Sequence, residues 1–303
     1  MIRPFIDNEY KQLKKVILGI SDDFGGCPDI QHAYDPKSKE NILNGTFPKE
    51  TDLKKELEGF MHVLKKYNVD VLRPNNIFNC NQIFSRDVGF VIQDKLFISN
   101  MISKRKEEIL GFEFILKQIN TMSIESIPEN ISVEGGDVIV SNDYLFVGYS
   151  NQNDFDQYEV SRTNKEAVDF FTEHISEKKV VGLELCKSDH DPRLNCLHLD
   201  CCFQPLGLGH LLLYPDGFKS NSDVLLIQEI FGSENIILID RDEMYNMFCN
   251  VFSVAPDVIV SEKKFTRLNN VLRSKGYNIE EIEFSEISKM GGLLRCATLP
   301  LIR

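Results

Sequence analysis

Short apolar runs separated by polar turns recur along the chain. Asp87-Val-Gly-Phe-Val-Ile92 is followed by Gln-Asp and then Lys95-Leu-Phe-Ile-Ser99. Asp137-Val-Ile-Val140 is followed by Ser-Asn-Asp and then Tyr144-Leu-Phe-Val147. Each is a β-branched run, a polar turn and a second run, the pattern of a β-hairpin. A looser third copy spans His198–Leu206, a Gly207-Leu-Gly209 turn and His210–Tyr214. A fourth spans Asn250–Val254, Ala-Pro and Asp257–Val260. The copies start roughly 50 to 60 residues apart.

Helical periodicity fills the intervals. Leu53, Leu57, Phe60, Met61 and Leu64 form one apolar stripe over Asp52–Tyr67, with Thr51 or Asp52 available as a cap. Lys104–Asn120, Asn164–Ile175, Ser222–Phe231 and Lys264–Lys275 carry comparable stripes. Lys15–Leu18, Val69–Leu72, Val180–Leu183 and Ile236–Ile239 read as further strands. The rule is hairpin, helix, strand, repeated. A period near 60 in 303 residues allows about five units. Such units arranged around an axis bring their loops to a common centre; a generic α/β domain with several hairpins is the alternative.

Composition narrows the function. The chain carries 34 Lys+Arg against 46 Asp+Glu, a net charge of −12, which disfavours nucleic acid and anionic membrane and suits a cationic small molecule. No apolar run reaches the ~18 residues that span a bilayer, and the N-terminus lacks signal-peptide character, so a cytoplasmic protein is expected. The eight cysteines, at 27, 80, 186, 196, 201, 202, 249 and 296, then read as reduced thiols. The cluster Cys196, His198, Asp200, Cys201, Cys202 matches no paired-ligand zinc spacing, and neither a Gly-x-Gly-x-x-Gly nor a Walker motif is present; no metal and no cofactor are expected.

The polar residues that open the hairpins are the candidate chemistry. His198-Leu-Asp200 is read as a strand start that places imidazole and carboxylate on one face, an arrangement suited to proton transfer. Glu134-Gly-Gly-Asp137 puts two carboxylates around a pair of glycines, and Asp87 stands at the matching place in the first hairpin. If the repeats share an axis, Asp87, Asp137 and Asp200 converge, which like charges tolerate only around a cation or a proton. Cys296, after Gly291-Gly-Leu-Leu-Arg, is either a buried filler or a nucleophile.

Together, Ser85-Arg-Asp87, Glu134-Gly-Gly-Asp137, Ser161-Arg-Thr-Asn164, His198-Leu-Asp200 and Gly291-Gly-Leu-Leu-Arg-Cys296-Ala-Thr-Leu-Pro300 resemble the pentein superfamily of guanidino-modifying enzymes: arginine deiminases, dimethylarginine dimethylaminohydrolases and amidinotransferases. The resemblance implies a five-bladed α/β propeller and one catalytic domain over residues 1–303. It implies Cys296 as nucleophile, His198 as general acid/base, Asp137 and Asp200 as carboxylates holding the guanidinium, and Asp87 and Glu134 as supporting acids. Arg162 either binds a substrate carboxylate or orders its loop. Ser161 stands where long arginine deiminases have glutamate. The expected activity is hydrolysis of arginine or a close derivative through a Cys-bound amidino intermediate. Transfer of the amidino group to an amine acceptor is the alternative, and a non-catalytic binding protein of the same fold is the remote one. A homodimer is compatible with the resemblance.

Overall fold

The computed structural model describes all of residues 1–303. Its strands are β1 (Lys15–Leu18), β2 (Asp70–Leu72), β3 (Gly89–Ile92), β4 (Lys95–Ile98), β5 (Ile124–Ser126), β6 (Val138–Ser141), β7 (Tyr144–Tyr149), β8 (Lys179–Glu184), β9 (Phe203–Pro205), β10 (Leu211–Leu213), β11 (Ile236–Leu238), β12 (Phe252–Ala255), β13 (Val258–Glu262), β14 (Asn278–Ile282) and β15 (Thr298–Ile302). They form five three-stranded sheets, ordered β15-β1-β2, β3-β4-β5, β6-β7-β8, β9-β10-β11 and β12-β13-β14. In each, an antiparallel pair is extended by a parallel third strand. A parallel neighbour needs a crossover, and the helical segment preceding each third strand supplies it. The chain is thus a five-bladed α/β propeller. Its first blade joins distant parts of the sequence, because Val16 pairs with Pro300 and Leu18 with Thr298.

The crossover helices explain the apolar stripes. Leu53, Leu57, Phe60, Met61 and Leu64 are all buried on helix Glu50–Lys66. Phe60 sits edge-on to both Phe252 and Phe284, each ring centre 5.6 Å away, so this helix also bridges to the fifth blade. The helix starts at Glu50 with Lys49 at the cap position and no side-chain cap. Thr51 and Asp52 therefore lie inside the first turn, where Glu50 and Asp52 complement the helix dipole. The expected helix over Lys104–Asn120 is mainly a 3₁₀ segment, Ser103–Phe112, followed by one α turn at Glu113–Leu116. Its inward pair explains the tighter winding: Arg105 Nε and Nη2 lie 2.7 and 2.8 Å from the two carboxylate oxygens of Glu108, and a three-residue spacing stacks them directly. No helix is long and apolar enough to cross a membrane.

The blades meet through five equivalent turns. The amide N–H of Asp87 donates to the Phe84 carbonyl, Asp137 to Glu134, Cys201 to His198, Asn250 to Met247 and Thr298 to Arg295, each across three residues. Every turn immediately precedes the first strand of a hairpin, or β15 in the blade closed by both chain segments. Their close approach accounts for the glycines in Glu134-Gly-Gly-Asp137. A Cβ on Gly135 would lie 2.1 Å from the Arg86 carbonyl, and one on Gly136 would lie 2.6 Å from the His198 ring. The hydrophobic core lies between sheets and helices, and the axis is left to polar groups.

Candidate active site

The five turns deliver Asp87, Asp137, Asp200, Asn250 and Cys296 to the centre, with Glu134 and His198 beside them, and all seven are buried. His198-Leu-Asp200 is a 3₁₀ turn at Leu199–Cys201 rather than a strand edge, and β9 starts at Phe203. The reason is local. Asp137 Oδ1 accepts the Leu199 N–H at 2.8 Å, so that amide is not available to a ladder. The turn separates the two side chains: His198 faces the acids, and Asp200 faces the cysteine.

His198 Nε2 lies 2.9 Å from Glu134 Oε2, and Nδ1 lies 3.8 Å from Asp87 Oδ1. Burial pushes the imidazole pKa down, but Asp87, Asp137 and Glu134 outweigh it and raise it above its usual value. Glu134 also receives Arg162 Nη1 and Arg105 Nη1, each 3.3 Å away. Burial opposes the charge of Glu134, yet the two guanidiniums and the imidazole hold its carboxyl well below the ordinary range. Arg162 donates its other terminal nitrogen to the Tyr34 carbonyl at 2.8 Å and faces the Tyr34 ring. The structure thus brings Arg162 onto Glu134 and the Tyr34 segment.

Cys296 occupies the other side. Its Sγ lies 3.6 Å from Asp200 Oδ2 and 3.2 Å from Asn250 Nδ2. Burial, then the charges of Asp200 and Asp87, push the thiol pKa well up. Asp200 Oδ2 is also bound by Arg295 Nη1 at 2.8 Å. Arg295 grips Glu9 with Nε and Nη2 at 3.3 and 3.1 Å, and donates to the Val138 carbonyl at 2.9 Å. Two carboxylate oxygens at the centre, Asp87 Oδ1 and Asp137 Oδ2, are buried without a hydrogen bond, with His198 Nδ1 3.8 Å from the first and Thr163 beside the Asp137 carboxylate. A buried acceptor left unpaired is costly, and a planar cation with several N–H groups is the ligand chemistry that satisfies both.

Donor atoms of Asp87, Glu134 and His198 lie within 4.8 Å of one another, close enough to surround a metal ion. However, Arg105 is already paired with Asp87 Oδ2 and Glu134 Oε2, and Arg162 with Glu134, so a divalent ion would face two guanidiniums. All eight cysteines are free thiols.

A cavity of about 380 Å³ has Tyr34, Asp35, Lys104, Arg105 and Glu108 among its lining residues. Arg105 links this cavity to Asp87 and Glu134.

A family model described as N,N dimethylarginine dimethylhydrolase, eukaryotic, matches residues 49–303. The chain belongs to this family, within the pentein superfamily. It is 32% identical to the uncharacterized protein YkgA of Bacillus subtilis over 246 residues, 80% of this chain and 78% of YkgA. It is 24% identical over 280 residues to ArgZ of Synechocystis, a bifunctional arginine dihydrolase/ornithine cyclodeaminase; the match covers 90% of this chain but 37% of ArgZ. A solved N-terminal domain of ArgZ, covalently bound to a reaction intermediate, superposes with a TM-score of 0.78 at 21% identity, covering 95% of this chain and 97% of that one. SxtG, an amidinotransferase from Microseira wollei, superposes with a TM-score of 0.76 at 18% identity, covering 99% and 97%. These two structural matches establish the fold.

In this dimethylhydrolase-family chain, the repeats account for the convergence of Asp87, Asp137 and Asp200, and Glu134, His198 and Cys296, which the resemblance singled out, join them. Asn250 completes it. It opens the fourth hairpin pattern, at the place where the other copies carry acids, and that alignment alone singles it out. Glu9 precedes the first strand and Arg105 lies in a crossover segment, not in a hairpin-opening turn, so neither carries a comparable signal.

Proposed function

We propose that this chain hydrolyses the guanidino group of arginine or a close derivative through a covalent intermediate on Cys296, and that residues 1–303 act as one catalytic domain. The observation that carries the reading is the pair of carboxylate oxygens that accept no hydrogen bond, Asp87 Oδ1 and Asp137 Oδ2, buried at the same centre as the Cys296 thiol and the His198 imidazole. The cation's N–H groups satisfy those oxygens and fix its plane against the sulfur. Its charge favours the thiolate, offsetting the burial that keeps the free thiol protonated. The thiol proton passes to Asp200 Oδ2, and sulfur attacks the guanidinium carbon. The carbon–nitrogen bond then breaks as His198 protonates the departing nitrogen, leaving an amidino-thioether. Water, deprotonated by His198, attacks this intermediate and releases the thiol. Arg105 and Arg162 keep Glu134 ionised, and Glu134 in turn supports the imidazolium.

The test is incubation of purified protein with arginine or dimethylarginine, alone and with glycine or ornithine, followed by mass spectrometry. Citrulline or ornithine formed without an amine, and absent with Cys296→Ser, establishes hydrolysis. A product formed only with an amine establishes amidino transfer instead. Full turnover by Cys296→Ser refutes the covalent route.

A further inference from the structure

We infer that Asn250 is a catalytic residue that stabilises the Cys296 thiolate by a direct hydrogen bond to sulfur. The inference rests on the reading of Cys296 as nucleophile and adds a group that touches the reacting atom.

The carboxamide of Asn250 is fully buried and clasps Cys296 at both ends. Oδ1 accepts the Cys296 backbone N–H at 3.1 Å, while Nδ2 donates to Cys296 Sγ at 3.2 Å. The backbone N–H fixes the orientation of the amide: flipping it would set NH₂ against N–H and turn the oxygen towards sulfur. Further bonds hold the clasp. Nδ2 also lies 3.4 Å from the Asp200 carbonyl, and the Asn250 carbonyl accepts the Arg295 N–H at 3.3 Å.

The other polar side chain in hydrogen-bonding contact with the sulfur is an acid. Asp200 Oδ2 is an acceptor for the thiol proton and resists negative charge on sulfur. Asn250 is the only side chain that donates to Sγ. When the S–H bond breaks, the proton goes to Asp200 Oδ2 and the electron pair stays on sulfur. The Asn250 contact then becomes charge-assisted, so it favours the thiolate over the thiol. It does this without a formal positive charge that would compete with the cationic substrate. Two of the other hairpin-opening turns contribute Asp87 and Asp137 for that cation; this turn contributes a neutral donor for the nucleophile.

Asn250→Asp and Asn250→Ala test the role. Asp keeps the shape and the acceptor for the Cys296 N–H but replaces the donor facing sulfur with an acceptor. The readout is the pH dependence of Cys296 alkylation by iodoacetamide, followed on its own peptide by mass spectrometry, together with kcat and KM. A hydrogen bond to a charged group is worth about 10- to 100-fold. The alkylation midpoint of Asn250→Ala is expected to rise by about 1 to 2 pH units, with kcat falling by the same factor and KM changing less than about 3-fold. Asn250→Asp is expected to be worse than Ala by both measures. A packing role predicts the reverse order, because Asp preserves the packing. An unchanged midpoint in either variant, or Asp performing as well as the parent, overturns the inference. Cys296→Ser with full turnover would instead overturn the nucleophile assignment, whatever the Asn250 variants do.

Discussion

Replacing Glu9 by glutamine tests whether a buried charge network supports the chamber. Glu9 is 4% exposed and lies among three guanidiniums: Arg295 at 3.1 Å, Arg86 at 3.7 Å, and Arg303 acting at longer range. Burial pushes its carboxyl pKa up, but Arg295, Arg86 and Arg303 outweigh this and hold it at about 2, against an ordinary 4.5. A depression of that size corresponds to roughly 3 kcal/mol of stability. Because the folded value lies below the unfolded one, this stability is fully present above about pH 5 and is lost as pH falls through 4.5 towards 2. Glu9→Gln cannot titrate. Urea unfolding should show the variant roughly 3 kcal/mol less stable at pH 7, with the gap cut by about half near pH 3 as the parent takes up its proton. A gap below about 1 kcal/mol at pH 7, or one constant from pH 7 to pH 3, would mean that the three arginines are not balanced by this carboxylate.

Three further outcomes follow from single contacts. Gly136→Ala places a Cβ 2.6 Å from the His198 ring and should displace the imidazole by about 1 Å, lowering kcat by roughly 100-fold while the melting curve shows a folded protein. Asp87→Asn removes a charge that raises the His198 pKa; imidazolium is then lost at lower pH, and the alkaline limb of kcat/KM should move towards acid, an unmoved limb arguing against His198 as the acid. Phe60→Ala empties the contact shared with Phe252 and Phe284 and should cost about 3–5 kcal/mol in urea unfolding, with kcat per folded molecule unchanged.

The repeat was legible because sheet periodicity and helix periodicity alternate cleanly. Leu53, Leu57, Phe60, Met61 and Leu64 are buried as their spacing requires, and the four hairpin patterns correspond to β3–β4, β6–β7, β9–β10 and β12–β13. Apolar periodicity says little about 3₁₀ turns, which are short and held by local polar bonds. This explains both departures, at Ser103–Phe112 and Leu199–Cys201. In the first, the Arg105–Glu108 pair favours a three-residue winding; in the second, Asp137 takes the Leu199 amide from another blade. Neither partner lies within the segment's own apolar pattern.

The same distinction divides the candidate site. Residues within the repeating turns could be recognised by position, because a propeller brings equivalent positions to its axis. Asp200 shows where position stops being informative. It stands one place earlier in its turn than Asp137 does, and Arg295 binds its Oδ2, whereas Asp137 Oδ2 and Asp87 Oδ1 accept no hydrogen bond. Its proposed role therefore moves from gripping the cation alone to receiving the thiol proton beside Cys296. What sets these apart is the chain of buried charges from Glu9 through Arg295 to Asp200, joining segments 286 and 95 residues apart in sequence. Local spacing brings the acids to one point; the long-range ion pairs determine which remain free for a ligand.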